Sequence, residues 1–422
     1  MFDISFSFIN KIKRSLFPFY KNKELRSAFS ILHNGFPTEA TVARFVGGCV
    51  RKHLSNEEID DIDIATILSI HDIKEKFKNT NFKIIDTGLR HGTVTLVSDK
   101  IKFEITSLRK DVLTDGRHAE VEYIDDWSLD SERRDFTINS IYLDIKGKIF
   151  DPQAGAVDLK NNIVKFIGDP QKRIVEDYLR IIRFIRFKIM YNDGNKVEPT
   201  TENAIKLNLN GIKKISKERI LLELYKILDL KKFLELNDNT ELREIFLLIF
   251  PEFENINRLE RLKKICNYSQ ISRDLLLASL LIDDKNSHDY FVHKYIISSS
   301  TKNALTLFAE NLKLIKRNKD FFSTELEKNI YLYDKKHLIN LNILNYVIDT
   351  RMRQKDFFEI VKRILQSKKR KFSIDGKYLM KNGMKQGALI GKVLKVIEKE
   401  WIKNNFKITK ERVQEIIKIN SN

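Results

Sequence analysis

Cysteine, proline and glycine are all scarce in this 422-residue chain, and each scarcity removes a class of answer. Cys49 and Cys266 are the only cysteines, which excludes a disulfide framework or a cysteine-based zinc cluster and fits a reducing, cytoplasmic compartment. Six prolines and 15 glycines argue against a largely β or disordered protein. No apolar run approaches the roughly 18 residues of a membrane-spanning helix. The Phe-rich start is interrupted by Asp3 and Asn10, and its positive charges follow the apolar part. It lacks the order of a signal peptide and reads as an amphipathic helix packed on the body, so no membrane partner is expected. Negative charge is the remaining shortage: 58 Asp and Glu against 76 Lys and Arg leave +18, which favours a polyanionic partner. Residues 351–422 hold 20 basic and 7 acidic side chains, so +13 of that +18 lies in the last sixth of the chain.

What is present is enough apolar material, 42% of residues, for two or more packed domains. Residues 1–40 read as one or two lead-in helices. From 41 to about 150 the apolar period is two: ATVARFV, DIDIATI, FKIID, GTVTLVS and IKFEITSL read as short strands around one sheet, with a helical pattern at 71–79. Beyond that, amphipathic stretches at 173–190, 216–236, 239–249, 258–268, 271–282, 301–316, 354–367 and 387–402 predict an almost wholly helical remainder. The expected class is α+β, divided as 1–40, 41–160, 161–236, 237–350 and a basic tail, 351–422.

The chemistry starts at ARFVGGCVRKHLSNEEIDDIDIAT, residues 43–66. Gly47-Gly48 opens a helix after a strand, which lets a phosphate approach backbone N–H groups. Asp61 and Asp63, two apart on the following strand, would face one way about 6–7 Å apart, given a rise of roughly 3.3 Å per residue. Such a pair is placed to hold divalent metal. Either motif alone is an ordinary turn or a solvated strand edge, but in this order they suggest nucleotidyl transfer. Glu104, in IKFEITSL, could be a third carboxylate if its strand neighbours theirs, or else a salt-bridge partner. Residues 107–127, with Arg109, Asp111, Asp115 and Arg117, read as a charged loop: a lid, a substrate guide, or plain surface. In SERRDFTINSIYLD (131–144) two arginines and an aspartate at a helix head could bind triphosphate and ribose hydroxyls, or the aspartate could simply complement the helix dipole. RIVEDYLRIIRFIRF (173–187) reads as one helix with Arg173, Asp177, Arg180 and Arg183 on a polar stripe. Asp177 and Arg180 could read the amine-plus-acceptor edge shared by adenine and cytosine, or form an ordinary i,i+3 ion pair.

Together GGCVR, DIDIAT, HGTVTL, RRDFTINS, DPQAGAVDL, RIVEDYLRIIRFIRF and ISKERILLEL closely resemble the bacterial class II tRNA nucleotidyltransferase/poly(A) polymerase family, which has a polymerase-β-like nucleotidyltransferase head. The resemblance covers residues 40–235 and returns at 374–402. It implies a catalytic domain at 41–160, a base-recognition domain at 161–236 and an RNA-binding tail. It implies two Mg²⁺ ions on Asp61 and Asp63, triphosphate on Gly47, Gly48 and Arg51, and ribose-side contacts from Arg134, Asp135 and Asn139. It further implies base recognition of CTP and ATP by Asp177, Arg180 and Arg183, a flexible loop near 109–118, and a tRNA acceptor arm held with Lys368, Lys369, Arg370 and Lys371. Three residues depart from the family pattern: Lys52 stands where Asp is frequent, Tyr178 where Pro is, and Ala154 where Gly is.

The expected activity is therefore CCA addition to tRNA 3′ ends. Poly(A) polymerase and partial CC- or A-adding enzymes share the motifs; the chain stops soon after the family tail, which favours CCA addition over poly(A). An RNA-binding protein on a dead enzyme fold is the reading from another class, and intact Asp61 and Asp63 argue against it. A phosphohydrolase suggested by His288-Asp289 lacks further ligands at suitable spacing.

Overall fold

The computed structural model describes residues 18–88, 92–114, 119–191, 196–265 and 271–421, and the side chains within them except 87–88, 111–114, 119–121 and 421. The chain forms two compact units, Met1–Pro251 and Glu252–Asn422.

In the first unit, helix α1 (Lys23–His33) starts at Asn22, whose side chain accepts from the Glu24 and Leu25 amides. Then come β1 (Ala43–Val46), α2 (Gly48–Leu54), β2 (Asp63–Thr66) and α3 (Ile70–Phe77). Helix α3 begins with a capping box between Ser69 and Asp72. Strands β3 (Lys83–Gly88), β4 (Thr93–Val97) and β5 (Lys102–Ser107) follow. With β8 (Tyr142–Leu143) and β9 (Ile149–Phe150) they make a seven-stranded sheet in the order β3-β4-β5-β2-β1-β8-β9. Only β2 and β5 run parallel. Phe45, Ile64, Val94, Leu96, Phe103 and Ile105 bury the sheet interior, as alternation requires.

The expected loop at 107–127 is instead mostly a ribbon: β6 (Arg109–Thr114) pairs antiparallel with β7 (Ala119–Tyr123) as a separate two-stranded sheet. Its few apolar residues hid the strand pattern, because a two-stranded ribbon needs little buried surface of its own. SERRDFTINSIYLD also differs from expectation. Its arginines follow a short helix, α4 (Trp127–Glu132), rather than heading one, because the Asp126 side chain takes the Ser128 and Leu129 amides and starts the helix earlier. Helix α5 (Gly155–Lys160) comes next, its first amides held by Asp151.

The single helix expected over 173–187 is two: α6 (Pro170–Glu176) and α7 (Leu179–Met190). Asp177 is extended, φ −152° and ψ 105°, and its side chain caps the new helix at the Leu179 amide, 3.1 Å away. The ring of Tyr178 lies so close over Gly211 that a β-carbon there would sit 2.1 Å from it. Helices α8 (Pro199–Asn208), α9 (Lys217–Leu228) and α10 (Thr240–Ile249) complete the unit.

The second unit is helical among its described residues, with long helices at Ser299–Arg317, Lys335–Ile348, Gln354–Gln366 and Ala388–Lys403. Arg261 closes the end of the second of these by donating to the Tyr346, Asp349 and Met352 carbonyls. The tail packs its own small core around Leu379, Val393, Ile397, Val413 and Ile416. No helix among the described residues is long and apolar enough to cross a membrane.

Candidate active site

A cavity of about 840 Å³ opens in the first unit where β2, α2, the start of β6, the segment after α4, Asp177, α7 and α9 meet. Ten arginines and lysines and six aspartates line it, a balance suited to a polyphosphate that arrives with cations.

Gly47 links β1 to α2 with φ 73° and ψ −129°, a conformation only glycine adopts without strain. A β-carbon at Gly47 would lie 3.6 Å from Asp63 Oδ2, so the glycine turn and the carboxylate share one wall. Asp61 is exposed just ahead of β2, and Asp63 is the first residue of the strand, partly covered. The Asp63 carboxyl is pushed up to about 6, by burial first and then by Glu104 and Asp61, with Arg134 and Arg51 opposing. Glu104 pairs in register with Asp63 across the parallel β2–β5 ladder, the adjacency that sequence could not supply. It does not line the cavity, and among the described residues no three His, Cys, Asp or Glu side chains converge as a ready metal cluster. A carboxylate held up by its acidic neighbours, beside a second, more exposed one, is nevertheless a hard-oxygen donor pair whose ionisation a divalent cation would favour.

Arg51 projects from α2 into the cavity wall at 5% exposure. Its Nε donates to Tyr191 Oη at 2.8 Å, and Nη1 donates to Asn139 Oδ1. Its guanidinium lies 4.7 Å from the Phe187 ring centre. Behind the lining residues Arg133 and Arg134, the fully buried Asp130 accepts from both and from the Tyr142 hydroxyl. Burial works against that charge, but the two guanidiniums hold the carboxyl down to about 2. Asp135 is also buried. It accepts from the Phe136 amide, Asn139 and Arg183, so both its oxygens are engaged within the chain. Arg186 and Lys226 are gathered by the buried Glu223.

Asp177 and Arg180 both line the cavity but do not pair with each other. Asp177 Oδ2 accepts from Arg219 at 2.8 Å. Arg180 donates to Glu176 at 2.6 Å and to the Arg173 carbonyl at 2.8 Å. The ordinary i,i+3 ion pair is thus not formed, because the chain leaves helical geometry at Asp177. Arg109 lines the same cavity; Asp115, Arg117 and the side chain of Asp111 lie outside the described residues. Lys368, Lys369, Arg370 and Lys371 are exposed in the second unit on an irregular segment after Gln366, where Arg370 pairs with Glu327 at 2.9 Å.

Sequence reading did not single out Asp130, Glu176, Arg219 or Glu223. The first two carried an available signal, an acid three or four residues before an arginine. Glu223 stands three residues before Lys226 but, like Arg219, meets its arginine or aspartate partner some 40 residues away, and those pairings had no signal.

A family model described as the Poly A polymerase head domain matches residues 43–165. One described as a probable RNA and SrmB-binding site of polymerase A matches residues 194–256. The mitochondrial CCA tRNA nucleotidyltransferase 1 of Mus musculus is 32% identical, covering 98% of this chain and 96% of its own. The CCA-adding enzyme of Lactobacillus helveticus is 30% identical, over 89% and 92%. The crystal structure of the Bacillus stearothermophilus CCA-adding enzyme in complex with CTP has the same fold, with a TM-score of 0.68 at 23% identity over 94% of this chain and 98% of that one. The Thermotoga maritima CCA-adding enzyme complexed with tRNA has a TM-score of 0.63 at 21% identity, over 94% and 96%.

Proposed function

The chain belongs to the CCA-adding tRNA nucleotidyltransferase family, and from that membership we propose how its residues divide the work. It adds CCA to tRNA 3′ ends from CTP and ATP. The 3′-hydroxyl oxygen attacks the α-phosphorus of the nucleotide; a phosphodiester forms as the bond to pyrophosphate breaks, and the hydroxyl proton is released.

The family depends on divalent metal, and Asp61 and Asp63 would hold it. Two Mg²⁺ ions held there would supply Lewis-acid activation of the hydroxyl and positive charge against the leaving pyrophosphate. Gly47, Gly48 and Arg51 cradle the triphosphate. Arg134, with Asp135 and Asn139 behind it, faces the ribose side. Asp177 and Arg180 read the base edge, with Arg183 anchored to Asp135 beside them. Template-free choice needs a rigid edge, and Arg219 and Glu176 hold these two side chains where no helix continues. A wrong base would leave the base-facing atoms of these side chains without partners, which is how sharp rejection arises. Arg109 takes the flexible-loop role, and Glu104 stays a neighbour of Asp63 that tunes its charge. The exposed basic run 368–371 contacts the tRNA backbone, the five-part division of the chain stands as our assignment, and the cytoplasm is the compartment we favour.

The observation that carries this reading is the shared wall of Gly47 and Asp63, phosphate cradle and metal carboxylate together. The test offers CTP, ATP, both, UTP or GTP with Mg²⁺ to a tRNA transcript lacking CCA. Two additions from CTP alone, then one A and a stop when ATP is added, are expected. Long ladders from ATP alone would instead make the protein a poly(A) polymerase.

A further inference from the structure

Arg51 has a problem that its own helix cannot solve. A guanidinium on a seven-residue helix can swing about its last bonds, yet bidentate grip on a phosphate needs its plane and edge fixed. Three contacts meet that need. Phe187 lies against the guanidinium plane, 4.7 Å from ring centre to its carbon. Asn139 takes one Nη1 hydrogen. Tyr191 takes the Nε hydrogen at 2.8 Å, which together with Asn139 fixes the guanidinium against rotation about the end of the side chain.

Tyr191 can hold that position because it is itself held. It is 5% exposed, terminates α7 with its amide on the Phe187 carbonyl at 2.8 Å, and points its hydroxyl hydrogen toward Glu57 Oε1 at 3.4 Å. Its hydroxyl thus donates toward Glu57 while its oxygen accepts from Arg51, with the Ser55 side chain also bonded to it. We propose that Tyr191 is the positioning residue that aims the Arg51 guanidinium at the nucleotide triphosphate. Helix α7 thereby serves both ends of the nucleotide: its first turn carries Arg180 at the base, and its terminus, about 16 Å away at 1.5 Å per residue, aligns the phosphate ligand. Phosphate grip and base choice are then separable by mutation.

The inference rests on the reading of Arg51 as a triphosphate ligand, and the experiment separates the two. In the full chain, Tyr191→Phe keeps the ring and removes the hydroxyl, and with it the bonds to Arg51 and Glu57. KM is measured for CTP on tRNA lacking CCA and for ATP on tRNA ending in CC, and affinities for CTP, CMP and cytidine by titration calorimetry. Calorimetric affinities refer to the folded fraction, so lost yield does not imitate the effect. Expected is an equal rise of about five- to tenfold in both KM values, the scale of one ordinary hydrogen bond, since Tyr191 acts on the phosphate only through Arg51. The CTP-to-CMP affinity ratio falls equally, kcat stays within about twofold, and discrimination against GTP and UTP is unchanged. Arg51→Lys should lower the same ratio, and Tyr191→Phe added to it should cost nothing further. If Arg51→Lys lowers the ratio and Tyr191→Phe does not, Tyr191 has no positioning role. Equal weakening of CTP, CMP and cytidine by Tyr191→Phe makes its role structural and overturns the inference. If Arg51→Lys leaves the ratio intact, the triphosphate assignment of Arg51 fails first.

Discussion

Asp63 has the carboxyl group on which site chemistry and folding energy meet. Its folded value of about 6 lies above the ordinary aspartate value of 3.8, so the folded protein keeps a proton that the unfolded chain releases. Stability is therefore lost as pH rises through that window, by at most about 3 kcal/mol at 1.4 kcal/mol per unit. In EDTA, urea denaturation should show stability falling between about pH 4 and 6. Asp63→Asn should flatten that fall and be more stable than the parent at pH 7.5, though inactive. Adding Mg²⁺ should recover stability for the parent only. Parallel pH curves for the two proteins would rule out Asp63 as the strained group. Asp130 runs the other way: its carboxyl, near 2 beside two arginines, contributes stability above its ordinary range that is lost as pH falls toward 2. The difference is one of partners, like charge at Asp63 and guanidinium at Asp130.

At the scale of elements, the turn into α5 and the break between α6 and α7 show how local backbone choices serve the site. Ala154 caps α5 with φ 54° and ψ 28°, the left-handed region, which costs an L-residue roughly 1–2 kcal/mol. Glycine removes that cost and gives back roughly 0.5–1 kcal/mol in unfolded-chain entropy. Ala154→Gly should thus stabilise the protein by about 0.5–1 kcal/mol with unchanged nucleotide addition. A lower urea midpoint would show that the Ala154 methyl group makes contacts worth more than the strain. The α6–α7 break was illegible in RIVEDYLRIIRFIRF because its apolar spacing runs through Asp177 without interruption. What stops the helix is the Asp177 side chain bonding the Leu179 amide and Tyr178 packing over Gly211, a residue 33 positions on. In the second unit, by contrast, Arg273–Leu281, Ser299–Arg317, Gln354–Gln366 and Ala388–Lys403 follow expected amphipathic stretches closely, each decided by its own face, whereas Lys335–Ile348 was not expected.

Across the whole molecule, charge is distributed unevenly. The cavity mixes signs, whereas residues 351–422 carry most of the net positive charge. Replacing Lys368, Lys369 and Lys371 with Ala should weaken tRNA binding and flatten its salt dependence by roughly 0.7–0.9 of a log unit per lost phosphate contact. At saturating tRNA, kcat should hold; an unchanged salt slope would remove this run from the RNA interface. The sequence by itself determined the α+β class, the glycine turn with its two aspartates, the helical remainder and the family, because short-period patterns and closely spaced motifs are local properties of a chain. Only the tertiary structure decided that Glu104 stands beside Asp63, that Asp177 answers to Arg219 and Arg180 to Glu176, and that Arg51 is aligned by Tyr191, 140 residues away. Such pairings depend on which buried charge finds which partner once strands and helices close on one another, and that leaves no periodic trace along the chain.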